Sequence, residues 1–261
     1  MRKYTQLILD LDGTVYLSGV PIGPIIEQLN RFMAIGGQLR ILTNNTSVSK
    51  VTYQKKLGLL GLNLSLSQIV SPVDVAGPFL RKTWGEHPRG FVLGTDDLKY
   101  ALEEYAIQHT TDDAEFILVG FDKSVTYTKL QIACHLINKG IPYYITNIDL
   151  ACPTQEGPIP DTGVLAKLLE LVTGVKPLAH FGKPGLLMAE YLLSLVGNVE
   201  QTLLAGDRLY TDIVLGNAMG IDTVVVFSGE TRPQDLINSD IQPTYTTPTL
   251  AEFLECQFTL K

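Results

Sequence analysis

Residues 6–16, QLILDLDGTVY, decide the fold of this chain. The stretch begins with the apolar run LIL, and a continuous apolar run is typical of a strand buried on both faces of a parallel sheet. Asp10 and Asp12 come at the end of this run, where open α/β sheets bind their ligands. Two carboxylates so close together repel each other unless a cation or protons compensate their charge. The stretch therefore predicts a metal site in which one Asp is a nucleophile and the other transfers protons.

Two other interpretations of the same stretch have to be weighed. A D-x-D-G sequence is also common in simple turns after a strand, and for this stretch alone that interpretation stays open. A calcium-binding loop begins similarly, but its later positions need further oxygen ligands and a closing Glu. Those positions are Val15, Tyr16, Leu17 and Ser18 here, which excludes the calcium loop.

The composition limits the class of protein. With 261 residues, of which 45% are hydrophobic and 18% charged, the chain is predicted to be globular, with one large or two modest domains. A formal net charge of -7 argues against a nucleic-acid partner, because phosphate backbones bind to basic faces. We expect a cytoplasmic protein with no membrane partner, since the sequence has neither a membrane-spanning apolar run nor a signal-peptide pattern. The spacing of its cysteines and histidines predicts neither a disulfide framework nor a zinc site.

A βαβ unit is predicted to follow the first strand. Pro21 and Pro24 are expected to open a helix with one apolar face, which ends at a Gly-Gly pair. The next apolar strand, Gln38–Leu42, ends in Thr43 and Asn44. Strand, helix and strand in this order give a parallel pair, so the hydroxyl and amide groups of these two residues should lie at the same sheet edge as the two aspartates.

A second α/β pattern begins after residue 74 and is interpreted as an inserted domain. The predicted catalytic core comprises residues 1–74 and 180–261, and the predicted insertion comprises residues 75–179. Within the insertion, residues 149–160 contain three prolines and are predicted to lack regular structure.

Two more polar groups follow the insertion. Lys183 precedes Pro184, which is predicted to mark the start of a helix over Gly185–Leu195. A further short apolar strand ends in Asp207, and Asp212 lies five residues later in GDRLYTDI. In one parallel sheet, the polar ends of these strands converge on a single edge. Carboxylates suit a hard cation, whereas hydroxyl, amide and ammonium donors suit phosphate oxygens, so the combination describes a site for Mg²⁺ and a phosphoryl group.

The set of motifs, in this order, resembles the haloacid dehalogenase-like phosphatase superfamily. DLDGTVY at 10–16 matches the first motif of the family (DxDGT), LTNN with Thr43 the second, GKP with Lys183 the third and GDRLYTDI at 206–213 the fourth. The long insertion between the second and third motifs, together with TNID at 146–149, is similar to the NagD and p-nitrophenylphosphatase branch. The resemblance runs essentially from end to end. It implies a Rossmann-like parallel-sheet core with a smaller α/β cap domain inserted into it.

The resemblance also implies a role for each carboxylate. Asp10 would attack phosphorus to give an aspartyl-phosphate, and Asp12 would protonate the leaving oxygen and then activate water. Mg²⁺ would be held by the Asp10 carboxylate, the Asp12 backbone carbonyl and Asp207, with Asp212 behind them.

The remaining candidates concern the substrate. Thr43, Asn44 and Lys183 would hold the transferring phosphoryl oxygens. Asn147 and Asp149, which follow a strand of the insertion, are expected to face the substrate and to contribute to specificity, although a plain turn at a strand end is the alternative.

The predicted function is Mg²⁺-dependent hydrolysis of a small phosphorylated metabolite. A phosphotransferase or phosphomutase on the same core, and a non-catalytic sensor of a phosphorylated ligand, stay open as alternatives. A homodimer is compatible with the sequence, which by itself determines neither the oligomeric state nor the natural substrate.

Overall fold

The structure is a computed structural model that describes residues 4–154 and 156–259. Within this part of the chain, two compact units are found. Unit 1 contains the residues up to Thr43, Tyr53–Val70 and the residues from Lys183 onward, and unit 2 contains Asn44–Thr52 and Ser71–Gly182. This division differs from the predicted boundaries mainly in grouping residues 44–52 with unit 2, and the predicted boundaries stay a prediction.

The strands, in chain order, are short. They are β1 (Gln6–Leu9), β2 (Tyr16–Leu17), β3 (Val20–Pro21), β4 (Gln38–Leu42), β5 (Ile69–Val70), β6 (Arg89–Leu93), β7 (Gln108–His109), β8 (Phe116–Val119), β9 (Tyr143–Ile145), β10 (Ala151–Cys152), β11 (Ile159–Pro160), β12 (Thr202–Gly206), β13 (Asp222–Val226) and β14 (Tyr245–Thr247). The α-helices are α1 (Ile25–Ala34), α2 (Lys50–Leu59), α3 (Pro72–Trp84), α4 (Asp96–Glu103), α5 (Tyr127–Asn138), α6 (Thr162–Thr173), α7 (Leu186–Leu195), α8 (Val214–Met219) and α9 (Leu250–Thr259). None of the helices in the described residues is long and apolar enough to cross a membrane.

Unit 1 is built on a six-stranded parallel sheet in the order β14-β13-β12-β1-β4-β5. All four residues of β1 are buried, as expected for a strand near the middle of a sheet that is covered on both faces. Leu9 is paired with Ile41 of β4 and with Ala205 of β12, so the residues that follow these three strands emerge at one edge. The predicted parallel-sheet core is therefore confirmed.

The first helix shows why the chain returns to this sheet. Helix α1 buries Ile25, Leu29 and Phe32, which are four and three residues apart and lie on one helix face. The helix ends before Gly36, which has a φ of +84° and accommodates a left-handed turn that other residues adopt at a cost. Pro21, however, lies in β3 and not at the start of this helix, so that part of the prediction is wrong.

Unit 2 has its own four-stranded parallel sheet in the order β7-β6-β8-β9. Phe91, Ile117, Tyr143 and Leu169 are among the residues of its core, where α5 and α6 pack against the sheet. The backbone N–H of Thr162 donates to the side chain of Asp161, which caps the start of α6.

One prediction for the later elements is wrong, and another differs by one residue. Residues 149–160 were expected to be irregular, but β10 and β11 form an antiparallel pair in which Ala151 is opposite Pro160. A proline is tolerated there because the pair is only two residues long and belongs to no larger sheet, so few ladder hydrogen bonds depend on its missing N–H. Helix α7 begins at Leu186, one residue after the predicted start, because Gly185 has an extended backbone (φ −61°, ψ 144°) and is the N-cap.

Candidate active site

A buried ammonium and a carboxylate meet at the end of β1. Asp10 directly follows the strand, and its backbone N–H donates to the Ala205 carbonyl on β12 (2.9 Å). Lys183 Nζ lies 2.5 Å from Asp10 Oδ1 and 2.7 Å from Asp212 Oδ1. Its side chain is only 4% exposed, so the two carboxylates replace the water that a lysine normally keeps.

Three carboxylates share this site. Asp207 follows β12, and oxygen atoms of Asp10, Asp207 and Asp212 all lie within 4.8 Å of one another. Asp212 lies in a π-helical turn, Leu209–Ile213, which brings its side chain back towards the end of β12. There, Asp212 Oδ2 accepts a hydrogen bond from the backbone N–H of Arg208 (3.1 Å).

The loop after β13 holds Asp207 from the other side. The backbone N–H of Glu230 donates to Asp207 Oδ2 (2.7 Å), and the Ser228 hydroxyl donates to the Gly13 carbonyl (2.6 Å). Gly13 has a φ of +87°, and a Cβ there would lie 2.5 Å from Asp207 Oδ2; a Cβ on Gly229 would overlap the same carboxylate. This loop was not predicted from the sequence. Its signal was a small polar residue and a glycine shortly after another apolar strand.

Burial raises the pKa of Asp10 well above its ordinary value; Lys183 opposes this shift, and Asp212 and Asp207 add to it. Burial likewise raises the pKa of Asp207 to about 7, with a further contribution from Asp212 and opposition from Arg208. Burial alone would lower the pKa of Lys183, but Asp10 and Asp212 together outweigh it, so that pKa is raised and the side chain stays charged. The single positive charge of Lys183 therefore does not fully stabilise the ionised forms of Asp10 and Asp207.

The charges and donor atoms of this cluster fit a divalent cation. If all three carboxylates ionise, they and the one ammonium leave two negative charges in a buried site. Carboxylate oxygens are the ligands of hard divalent cations, and such an ion would balance the remaining charge.

The other candidates of the core lie along the same strand ends. Asp12 is two residues beyond Asp10, and its backbone forms an isolated bridge with Tyr16. Thr43 directly follows β4, is 3% exposed, and donates its backbone N–H to Val70 of β5 (3.0 Å). The structure thus brings Asp10, Lys183, Asp207 and Asp212 into direct proximity. Asp12 lies beyond the carboxyl end of β1, and Thr43 lies at the carboxyl end of the neighbouring strand β4.

The remaining candidates gather in unit 2. Asn44 Nδ2 donates to Asp149 Oδ2 (3.0 Å), and Asn147 Nδ2 donates to the Asn44 carbonyl (2.9 Å). All three residues are buried.

Comparison with known proteins gives a consistent result. The sequence model of the haloacid dehalogenase-like hydrolase family matches residues 7–108, and the HAD-hydrolase-like model matches residues 180–253. The solved structure of a 4-nitrophenylphosphatase from Thermotoga maritima is 34% identical, with 97% of each chain covered and a TM-score of 0.91. The 5'-nucleotidase YutF of Bacillus subtilis is 29% identical over 97% of this chain and 99% of its own length.

A third relative was solved with a divalent cation. It is a glycerol phosphate phosphatase from Mycobacterium tuberculosis in complex with calcium, 25% identical, with a TM-score of 0.85 over 94% of this chain and 73% of that one. The order of motifs, the parallel core and these full-length similarities agree. The chain therefore belongs to the haloacid dehalogenase-like hydrolases and is a phosphatase of the NagD and 4-nitrophenylphosphatase type.

Proposed function

We propose that this phosphatase is a Mg²⁺-dependent phosphomonoester hydrolase that forms an aspartyl-phosphate at Asp10. The observation that carries the proposal is the buried contact between Lys183 and Asp10, in a cluster that contains two further carboxylates. A carboxylate held at a strand end beside a fixed ammonium can act as a nucleophile towards a phosphoryl group whose oxygens the ammonium attracts.

Asp10 and Asp207 would hold the cation with their carboxylates, and Asp12 with its backbone carbonyl. Mg²⁺ suits a site with few carboxylates, because it keeps several waters and binds substrate phosphate as well. When bound, Mg²⁺ supplies positive charge that stabilises the phosphoryl oxygens as negative charge develops on them. Asp212 is engaged by Lys183 and by the Arg208 N–H, so its role is to fix the ammonium.

In the first half of the reaction, a carboxylate oxygen of Asp10 attacks phosphorus. The bond between phosphorus and the ester oxygen breaks, and Asp12 donates a proton to that oxygen so that the product leaves as an alcohol. Lys183, Thr43 and Asn44 hold the oxygens of the transferring group, which keeps attacking and leaving oxygens in line.

In the second half, Asp12, now ionised, takes a proton from a water molecule. The water oxygen attacks phosphorus, the bond to Asp10 breaks, and inorganic phosphate and the Asp10 carboxylate are released. Asp12 holds one proton at the end, as at the start.

The proposed substrates are small phosphomonoesters. The relatives are named for nitrophenyl phosphate, 5'-nucleotides and glycerol phosphate, which share the phosphoryl group and little else. A site whose assigned groups all contact the phosphoryl group and its cation would accept any of these leaving groups.

The test is hydrolysis of p-nitrophenyl phosphate with MgCl₂, with and without excess EDTA, by wild type, Asp10→Asn and Asp122→Asn. Asp122 is a matched control, because it is a buried carboxylate 2.7 Å from Lys129 Nζ in unit 2 and has no assigned role. We expect EDTA and Asp10→Asn to reduce kcat more than about a hundredfold, roughly 3 kcal/mol of barrier, and Asp122→Asn to leave it nearly unchanged. Acid quenching followed by mass spectrometry should find phosphate on the peptide that contains Asp10. Activity that survives in Asp10→Asn, or phosphate on another residue, would refute the nucleophile.

A further inference from the structure

Asn44 is held by two side chains of the predicted insertion. Its Nδ2 donates to Asp149 Oδ2 (3.0 Å), and its carbonyl oxygen accepts from Asn147 Nδ2 (2.9 Å). A carboxylate only accepts hydrogen bonds at neutral pH, so the Asp149 contact fixes which end of the Asn44 amide faces it. The main chain and the side chain of Asn44 are therefore both anchored.

A glycine makes room for this arrangement. A Cβ on Gly182 would overlap the Asn44 side chain and would lie 2.8 Å from the carbonyl oxygen of Thr146. Gly182 is the first residue of the GKP motif and directly precedes Lys183. The Asn44 amide packs against it, which leaves no room for a side chain at position 182.

The two residues that hold Asn44 are themselves fixed. Asn147 Oδ1 accepts from the backbone N–H of Asp149 (2.9 Å), and Asn147 Nδ2 also lies 3.2 Å from the hydroxyl of Thr162, the first residue of α6. Asn147 is 0% and Asp149 3% exposed. Groups so buried and so engaged are poorly suited to contact leaving groups that differ from one substrate to the next.

We propose that Asn147 and Asp149 are positioning residues that fix Asn44 for the phosphoryl group, and that they do not choose among substrates. The inference rests on the proposed function, in which Asn44 binds a phosphoryl oxygen. Because every phosphomonoester presents the same phosphoryl group, loosening Asn44 should weaken catalysis by one common factor for all substrates.

The test measures kcat and KM for p-nitrophenyl phosphate, glycerol phosphate and a 5'-nucleotide, and the inhibition constant of inorganic phosphate. The variants are Asn147→Ala, Asn147→Asp, Asp149→Ala and Asp149→Asn, with Asp122→Asn as the control. We expect kcat/KM to fall about tenfold or more, by the same factor for each ester, in the two alanine variants and in Asn147→Asp, which puts an acceptor against the Asn44 carbonyl. Phosphate inhibition should weaken in parallel. Asp149→Asn keeps an acceptor for Asn44 Nδ2 and should retain most of the activity.

Each other outcome overturns the inference in a recognisable way. A changed ranking of the three esters would assign Asn147 and Asp149 to specificity, and a lower melting temperature with unchanged kcat/KM would assign them a purely structural role. If wild type hydrolyses none of the esters, the proposed function fails. Calorimetric binding of inorganic phosphate to the Mg²⁺-loaded protein then decides the inference separately. Equal affinity in wild type and Asn147→Ala overturns positioning, and no binding by wild type overturns both proposals.

Discussion

Asp207 gives a prediction about stability that does not depend on activity. Its pKa of about 7 lies roughly three units above the ordinary value of 3.8, because the carboxylate is buried beside Asp212. Between pH 4 and 7 the folded metal-free protein keeps this proton and the unfolded chain has lost it. The folded state thus binds more protons, so the free energy of unfolding falls as pH rises through this window. At about 1.4 kcal/mol per unit, the loss amounts to up to about 4 kcal/mol by pH 7 to 8.

A bound cation should reverse this dependence. Mg²⁺ held by the ionised carboxylates, as proposed, would compete with the proton, so its stabilising effect should grow as pH rises over the same range. Asp207→Asn removes both effects, because the amide neither ionises nor carries the charge that attracts the cation. We therefore expect Asp207→Asn to be more stable than wild type at pH 7.5 in EDTA, and to gain little from Mg²⁺.

The assay follows urea unfolding at pH 5.5 and 7.5, in EDTA and in MgCl₂, for wild type and Asp207→Asn. Two compact units need separate probes, since one transition cannot be assumed. Trp84 is the sole tryptophan and lies in unit 2, so its fluorescence is an internal control, whereas hydrogen exchange of the β12 amides reports on unit 1. A metal-free wild type whose β12 amides are as protected at pH 7.5 as at pH 5.5, or an Asp207→Asn variant less stable than wild type at pH 7.5, would refute this reasoning.

Further predictions concern neighbouring residues of the same site. Asp12→Asn should slow hydrolysis of alkyl phosphates more than that of p-nitrophenyl phosphate, because nitrophenolate leaves without a proton; equal losses in kcat/KM would contradict the general-acid role. Gly13→Ala adds a Cβ at a φ of +87° and 2.5 Å from Asp207 Oδ2, so calorimetry should show much weaker Mg²⁺ binding. Gly23→Ala is its control, since it shares a positive φ (+62°) but its nearest neighbour is Ala251 Cβ at 3.7 Å; equal effects of both substitutions on Mg²⁺ affinity would exclude a local effect on Asp207.

Much of unit 1 could be predicted because its central strands are unusually simple. β1 and β12 are buried at every position, and such strands appear in a sequence as uninterrupted apolar runs. Once they are parallel, the carboxyl ends must share an edge, which is how Asp10 and Asp207 could be placed together from residues far apart in the sequence.

Other parts of the fold had no signal of this strength. β10 and β11 are two residues long, too short for any periodicity, and proline in β11 argued against a strand. β14, at the edge of the large sheet, is only three residues long and was not predicted. Pairing with a neighbour, which the sequence pattern does not contain, decides whether such segments become strands.

The prediction of the site from the sequence was incomplete for a related reason. The group that holds Asp207 is the backbone N–H of Glu230, and any residue at that position has this group except proline. Asp212 reaches Lys183 only because the backbone of Leu209–Ile213 forms a π-helical turn. Side-chain chemistry can be read from a sequence, but a backbone donor becomes part of a site only through the conformation of its loop.

The contrast is sharpest for Asn147 and Asp149. Polar residues after a strand suggested groups turned towards a ligand, and the strand end was identified correctly in β9. The sequence pattern does not reveal that residues 44–52 pack within unit 2, where Asn147 and Asp149 both hydrogen-bond to Asn44. The second motif is thereby divided at one peptide bond: Thr43 belongs to the sheet of unit 1, whereas Asn44 is anchored by residues more than a hundred positions away. If Asn44 binds the phosphoryl group as proposed, a mutation of Asn147 or Asp149 alters phosphoryl binding through Asn44.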